Sequence, residues 1–302
     1  MLRLILSSHS KIEIPPETWF LIPLVEQLPL LSPLSREQQR QAVSIITGHY
    51  RWPDMGIDAA SLGGWVDSLH QPGLADIMAL MYRFHAQNSG KQRIGDKTPP
   101  YIRIVPELAV LYPGAKFIHL VRDGRDVAMS YLDAKFSGAP YEPSFEWTTA
   151  VRLGRQYMQT ELADRIMRVK YEDLVRSLEP TVRQVCRFLS EEFEPQMLNW
   201  QRSIPGRIPE RERLIHTSLT QPVSKSAVSV WRSRLSLAEL FVLEACIQEE
   251  LQANDYPPYF SGRRWRPLVF AGRKVLPTLG PLLRRGVQAL RHRGLLSRQV
   301  YV

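Results

Sequence analysis

The chain has 302 residues, 44% of them apolar and 23% charged, which suits a globular protein with a substantial core and excludes a disordered or fibrous one. Two cysteines exclude a disulfide framework and a cysteine-based metal site, and no apolar run approaches the roughly 20 residues of a membrane span. The net charge of +9 is uneven, since residues 261–302 hold ten Lys and Arg and no acid, leaving 29 basic against 30 acidic groups in residues 1–260. A globular domain over 1–260 and a basic tail over 261–302 are therefore expected, without nucleic-acid binding.

Taken in order, Leu2, Leu4, Ile5 and Leu6 have the pattern of a buried helix with no capping residue ahead of it. That stretch is too short for a signal peptide, and the cytoplasm is the expected compartment. Pro15 and Pro16 rigidify the approach to Glu17-Thr18-Trp19. Residues 21–92 read as helical. Ser35 with Gln38 predicts a capping box, and Leu74, Ile77, Met78, Met81, Tyr82 and His85 fall on one face, making His85 a core-edge residue. Residues 93–97 read as a strand delivering Lys97 to a sheet edge, with Thr98 and two prolines opening a helix beyond it.

Residues 117–121 follow Pro113-Gly114 as a short apolar run, the pattern of a covered parallel strand. Arg122 stands at its carboxyl end, where the next helix offers unpaired N–H groups to an anion. Gly124 is expected to relax the turn and Asp126 to cap the helix, which buries Val127, Ala128 and Tyr131 and carries Ser130 two turns in. Residues 143–162 predict a core helix through Phe145, Trp147, Val151 and Gly154, residues 166–170 a strand running into Tyr171-Glu-Asp-Leu, and 181–189 another helix. Residues 205–222 read as an Arg-rich loop, after which Ser236 and Glu239 box the start of a helix through Leu251. In the tail, Leu283, Val287 and Leu290 oppose Arg284, Arg285, Arg291 and Arg293, the pattern of a helix that lies on an anionic membrane surface or docks on its own domain.

An arginine at a strand end with a serine eight residues later resembles the 3′-phosphate motif of sulfotransferases that use 3′-phosphoadenosine 5′-phosphosulfate (PAPS). The segment 12–20, the Lys97-Thr98-Pro99 element, Tyr171-Glu-Asp-Leu and the Trp231-Arg232 pair resemble, in the same order, segments of bacterial members of the tyrosylprotein and heparan-type branch. The resemblance implies a P-loop-like α/β three-layer sandwich with a central parallel sheet. It also implies that Arg122 and Ser130 contact the 3′-phosphate, Tyr171 packs near the adenine, and Lys225 and Arg232 belong to a basic loop over the phosphate. The glycines common before the tryptophan are absent here. Glu17 falls on the catalytic base, the alternative being a surface carboxylate, and Lys97 on the contact to the transferred group, the alternative being a solvated lysine. Behind Glu17, His9, His119 and Lys97 are the next groups able to take a proton.

The implied activity is transfer of a sulfuryl group from PAPS, a co-substrate, to a hydroxyl or amine of a small molecule, glycan, lipid or peptide, without a metal. The family's Pro-Arg-Ser-Gly-Thr-Thr loop would lie just upstream of Met1, so Met1 is expected to be an internal methionine, the first strand to be missing, and transfer by this chain to be impaired. A PAP-binding pseudoenzyme or binding module, and a different P-loop-fold nucleotide kinase, are the alternatives.

Overall fold

The structure is a computed structural model that describes residues 1–87, 89–203, 208–209 and 225–260, with the side chains of 202, 203 and 225 excepted. The basic tail, most of the Arg-rich loop and the Lys225 side chain lie outside the described residues. The chain divides into two compact units, one made of 1–119, 157–169 and 176–224, the other of 120–156, 170–175 and 225–302.

In the first unit, α1 (Leu2–Ser7) is buried on every residue. Strand β1 (Ile12–Glu13) pairs in parallel with β2 (Arg93–Ile94), Ile12 opposite Arg93 and Glu13 opposite Ile94. Helices α2 (Leu21–Gln27), α3 (Arg36–Thr47), α4 (Ala59–Asp67) and α5 (Leu74–Gln87) supply the largest core, in which Phe20, Leu24, Ile46, Leu62, Leu74 and Ile77 are fully enclosed. The Ser35–Gln38 capping box forms, and α5 buries the predicted face of Leu74, Ile77, Met78, Met81 and Tyr82. His85 Nδ1 lies 2.9 Å from the Met55 carbonyl at the edge of that core. A 3₁₀ segment (Pro99–Ile104) runs into α6 (Val105–Leu111), and Arg165 donates to the Tyr112 and Ala115 carbonyls just beyond it. Helix α10 (Leu178–Leu189) ends at Ser190 in the left-handed conformation.

Strands β3 (Phe117–Val121) and β4 (Ile166–Lys170) form a second two-stranded sheet. Strand pairing among the described residues is thus confined to two small sheets, where the sequence suggested one central sheet.

In the second unit, α7 (Gly124–Asp133), α8 (Ser144–Tyr157), α9 (Tyr171–Arg176), α11 (Trp231–Arg234) and α12 (Leu237–Ala253) surround Val121, Ala128, Met129, Trp147, Trp231, Leu243 and Ile247. The Ser236–Glu239 capping box opens α12 as expected. Three local expectations change. Asp123, not Asp126, caps α7, accepting the Arg125 N–H at 2.9 Å. Phe145 lies on the outer side of α8 and is 59% exposed. Gly124 keeps an ordinary helical backbone and is required by crowding, because a Cβ there would lie 2.8 Å from the Trp147 ring and 2.9 Å from Ile247. Among the described residues no helix is long and apolar enough to cross a membrane.

The Trp147 indole cannot retreat easily, since its N–H donates to the Arg122 carbonyl at 3.0 Å. Gly124→Ala is therefore expected to destabilise the protein by about 1–3 kcal/mol through overpacking, read as a lower urea midpoint with an unchanged slope.

Candidate active site

Two groups of side chains have the chemistry of a transfer site, one in each unit. In the second unit, Arg122 sits one residue beyond β3 and just ahead of the Asp123-capped α7. Its Nη1 donates to Ser130 Oγ at 3.2 Å and its Nη2 to the Ala227 carbonyl at 2.9 Å. The guanidinium lies 4.6 Å from the centre of the Tyr171 ring, within cation–π range. Arg122 Nε is buried and has no hydrogen-bond partner among the described residues. The structure thus brings Arg122, Ser130 and Tyr171 together, with Ser130 Oγ on the exposed side. A buried guanidinium donor without an acceptor is costly to leave unmet, and a phosphate oxygen would meet it. Burial raises the Tyr171 phenol above its ordinary value, with Arg122 pulling the other way.

Asp126 has a role that its place in the sequence did not suggest. Its Oδ2 accepts the Ser229 N–H at 2.7 Å and its Oδ1 the Trp231 N–H at 3.0 Å, which fixes the segment whose Ala227 carbonyl meets Arg122. Burial raises the Asp126 pKa while these two bonds and Arg122 oppose the rise. Ser229 adopts a left-handed backbone (φ 62), so a serine does here what a glycine would do more easily. Of the two outlying basic candidates, Arg232 is exposed and stacks on Trp231 at 4.5 Å, with no recorded contact to Arg122, while Lys225 has no described side chain.

In the first unit, Glu17 gathers three donors. Lys97 Nζ donates to Oε1, the Trp19 indole N–H donates to Oε2 at 2.8 Å, and Arg51 Nη2 lies 3.5 Å from Oε2. Burial raises the Glu17 pKa, but Lys97, the Trp19 hydrogen bond and Arg51 outweigh it and leave the carboxyl below its ordinary value. Glu17 and Lys97 are therefore neighbours. Arg51 and Trp19 were not legible in the sequence: Arg51 enters from the start of the 3₁₀ turn Trp52–Met55, and Trp19 reaches back to Glu17 from a left-handed backbone (φ 63).

His9 and His119 are the two histidines named behind Glu17 as proton acceptors. His9 receives the Lys11 N–H on Nδ1 at 3.0 Å, so its Nε2 carries the proton donated to the Glu192 carbonyl at 2.9 Å. Burial, helped by Arg168, pushes His119 down to about 4. Among the described residues no cluster of three His, Cys, Asp or Glu groups is placed to hold a metal ion.

Residues 1–195 match the Sulfotransferase family. The protein-tyrosine sulfotransferase of Drosophila melanogaster is 26% identical over 176 residues, covering 55% of this chain and 35% of that protein. Protein-tyrosine sulfotransferase 1 of Danio rerio is 29% identical over 152 residues, covering 47% of this chain and 42% of that one. The chain thus spans less than half the length of these two relatives. The sulfotransferase domain of the Synechococcus olefin synthase superposes with a TM-score of 0.57 at 24% identity, over 85% of this chain and 90% of that one. The sulfotransferase domain of the curacin biosynthetic pathway gives 0.55 at 20% identity, over 85% and 93%. Both share the α/β fold, and with well over half of its length matched, the chain belongs to the sulfotransferase family.

Proposed function

We propose that the protein transfers a sulfuryl group from PAPS to an acceptor hydroxyl or amine. The observation that carries this reading is Arg122, whose buried Nε lacks an acceptor beside an exposed serine hydroxyl and an aromatic ring. A 3′-phosphate would complete the arginine's hydrogen bonds, with Ser130 as a second donor and Tyr171 offering its flat face to the base. Glu17 takes the acceptor's proton as the new bond to sulfur forms and the donor's phosphosulfate anhydride bond breaks. Lys97 offsets charge that develops on the transferred group. Two hydrogen bonds and the Arg51 ion pair engage the Glu17 carboxylate, which accepts about four hydrogen bonds, so capacity is left for the acceptor's proton. Since the relatives are named for protein-tyrosine transfer, a peptide phenol is the first acceptor to test.

Calorimetry with PAP and with ATP tests the donor site. PAP is expected to bind more tightly, and Arg122→Ala to weaken it by about 2–3 kcal/mol, the scale of a charge-assisted hydrogen bond. A preference for ATP would turn the reading towards a nucleotide kinase, and PAP binding without turnover towards a binding module.

Glu17→Gln is expected to lower kcat while PAP affinity stays the same, because proton acceptance matters only in the transition state. The same variant has a stability signature. A carboxyl held below its ordinary value of 4.5 in the folded chain contributes stability that is present above that pH and lost as pH falls through the folded value. Thermal melting between pH 7 and pH 3 should therefore show a smaller acid-induced drop in Glu17→Gln than in the parent.

A further inference from the structure

Glu17 and Lys97 are each followed by a threonine, and both threonines converge on Asp96. Thr18 Oγ1 donates to Asp96 Oδ2 at 2.7 Å and Thr98 Oγ1 donates to Oδ1 at 2.8 Å. From α5, the Tyr82 hydroxyl donates to Oδ2 at 2.5 Å. Thr98 Oγ1 also accepts the Thr18 N–H at 3.0 Å. The Tyr101 hydroxyl lies 2.7 Å from Thr18 Oγ1 and accepts the Leu21 N–H at 3.1 Å. Because Thr18 gives its only hydroxyl proton to Asp96, Tyr101 is the donor in their pair. Every hydroxyl in this network is thus directed, at one or two steps, to one carboxylate. Burial raises the Asp96 pKa, while the hydrogen bonds from Tyr82, Thr18 and Thr98 and the charge of Lys97 oppose the rise.

We propose that Asp96 is a positioning residue for the transfer site: it clamps the turn after Glu17 to the turn after Lys97 and so holds the carboxylate against the ammonium. Lys97 is 43% exposed along its side chain, so little packing fixes it and its place depends on the backbone beside it. Two residues beyond Glu17, Trp19 holds a left-handed backbone, a conformation that persists only where its surroundings enforce it. The clamp supplies that enforcement through Thr18, which is buried and bonded at both its N–H and its hydroxyl. The catalytic interpretation rests on Glu17 as the acceptor's base, whereas the clamp itself does not.

The test reads Glu17 directly. Thr18→Val, Thr18→Ser and Asp96→Asn are compared by isotope-edited NMR titration of carboxyl-labelled glutamate, with Glu17→Gln assigning the resonance. The charged groups facing Glu17 are Lys97 and Arg51, with Asp54 behind Arg51 at 3.4 Å. Turnover is followed with PAPS and para-nitrophenol as the probe acceptor. In folded Thr18→Val, the Glu17 titration is expected to move up towards 4.5 as Lys97 parts from it, and turnover to fall about 100-fold, the scale of a 1 Å misplacement. Thr18→Ser should restore both. An unmoved Glu17 titration in Thr18→Val overturns the clamp, even where turnover falls. A moved titration beside normal turnover in Glu17→Gln leaves the clamp standing and removes Glu17 as base. If Asp96→Asn does not fold, Thr18→Val and its serine rescue decide, and the titration decides where turnover is too slow to follow.

Discussion

A carboxylate taken out of water must be met by donors, and this chain uses that requirement to organise its chemically interesting turns. Asp96 collects Thr18, Thr98 and Tyr82. Asp126 collects two backbone N–H groups ahead of α11. Also in the second unit, Arg125 bridges Asp123 and Glu244, while Glu172 accepts the Asp123 N–H and the Tyr256 hydroxyl. Residues that are themselves partly exposed, such as Arg122 and Lys97, acquire fixed positions from this buried scaffold.

The charge balance at Glu17 limits what that residue can do. Cationic neighbours that hold it ionised also weaken it as a base, because they favour the deprotonated form. In the proposed reaction its contribution would then come from where it stands more than from how strongly it attracts a proton. The same neighbours suit a reaction in which negative charge passes between sulfate oxygens and phosphate.

Local signals in the sequence were read well where they depend on neighbours in the chain. Both capping boxes, the buried face of α5 and the strand at 117–121 follow from spacing alone. Arg122 and Ser130 were legible together only through the resemblance to the 3′-phosphate motif, and they lie 3.2 Å apart in the structure. What failed was long-range or backbone-dependent. Nothing in the order of residues sends Arg51 to Glu17, and nothing announces that Trp19 takes a left-handed backbone. Asp126 looked like a cap because aspartates at helix starts usually are, yet Asp123 takes that place and leaves Asp126 to bind a segment 103 residues away. The resemblance implied one central sheet, whereas strand pairing among the described residues is divided between two two-stranded sheets.

Trp19 adds a tension of its own. A tryptophan with φ near 63 stores about 1–3 kcal/mol that a glycine would release, yet glycine has no indole to give to Glu17. Selection for heat resistance alone would favour the smaller residue and erase a donor from the carboxylate. Evolving this protein towards greater robustness and evolving it towards faster transfer would therefore pull position 19 in opposite directions.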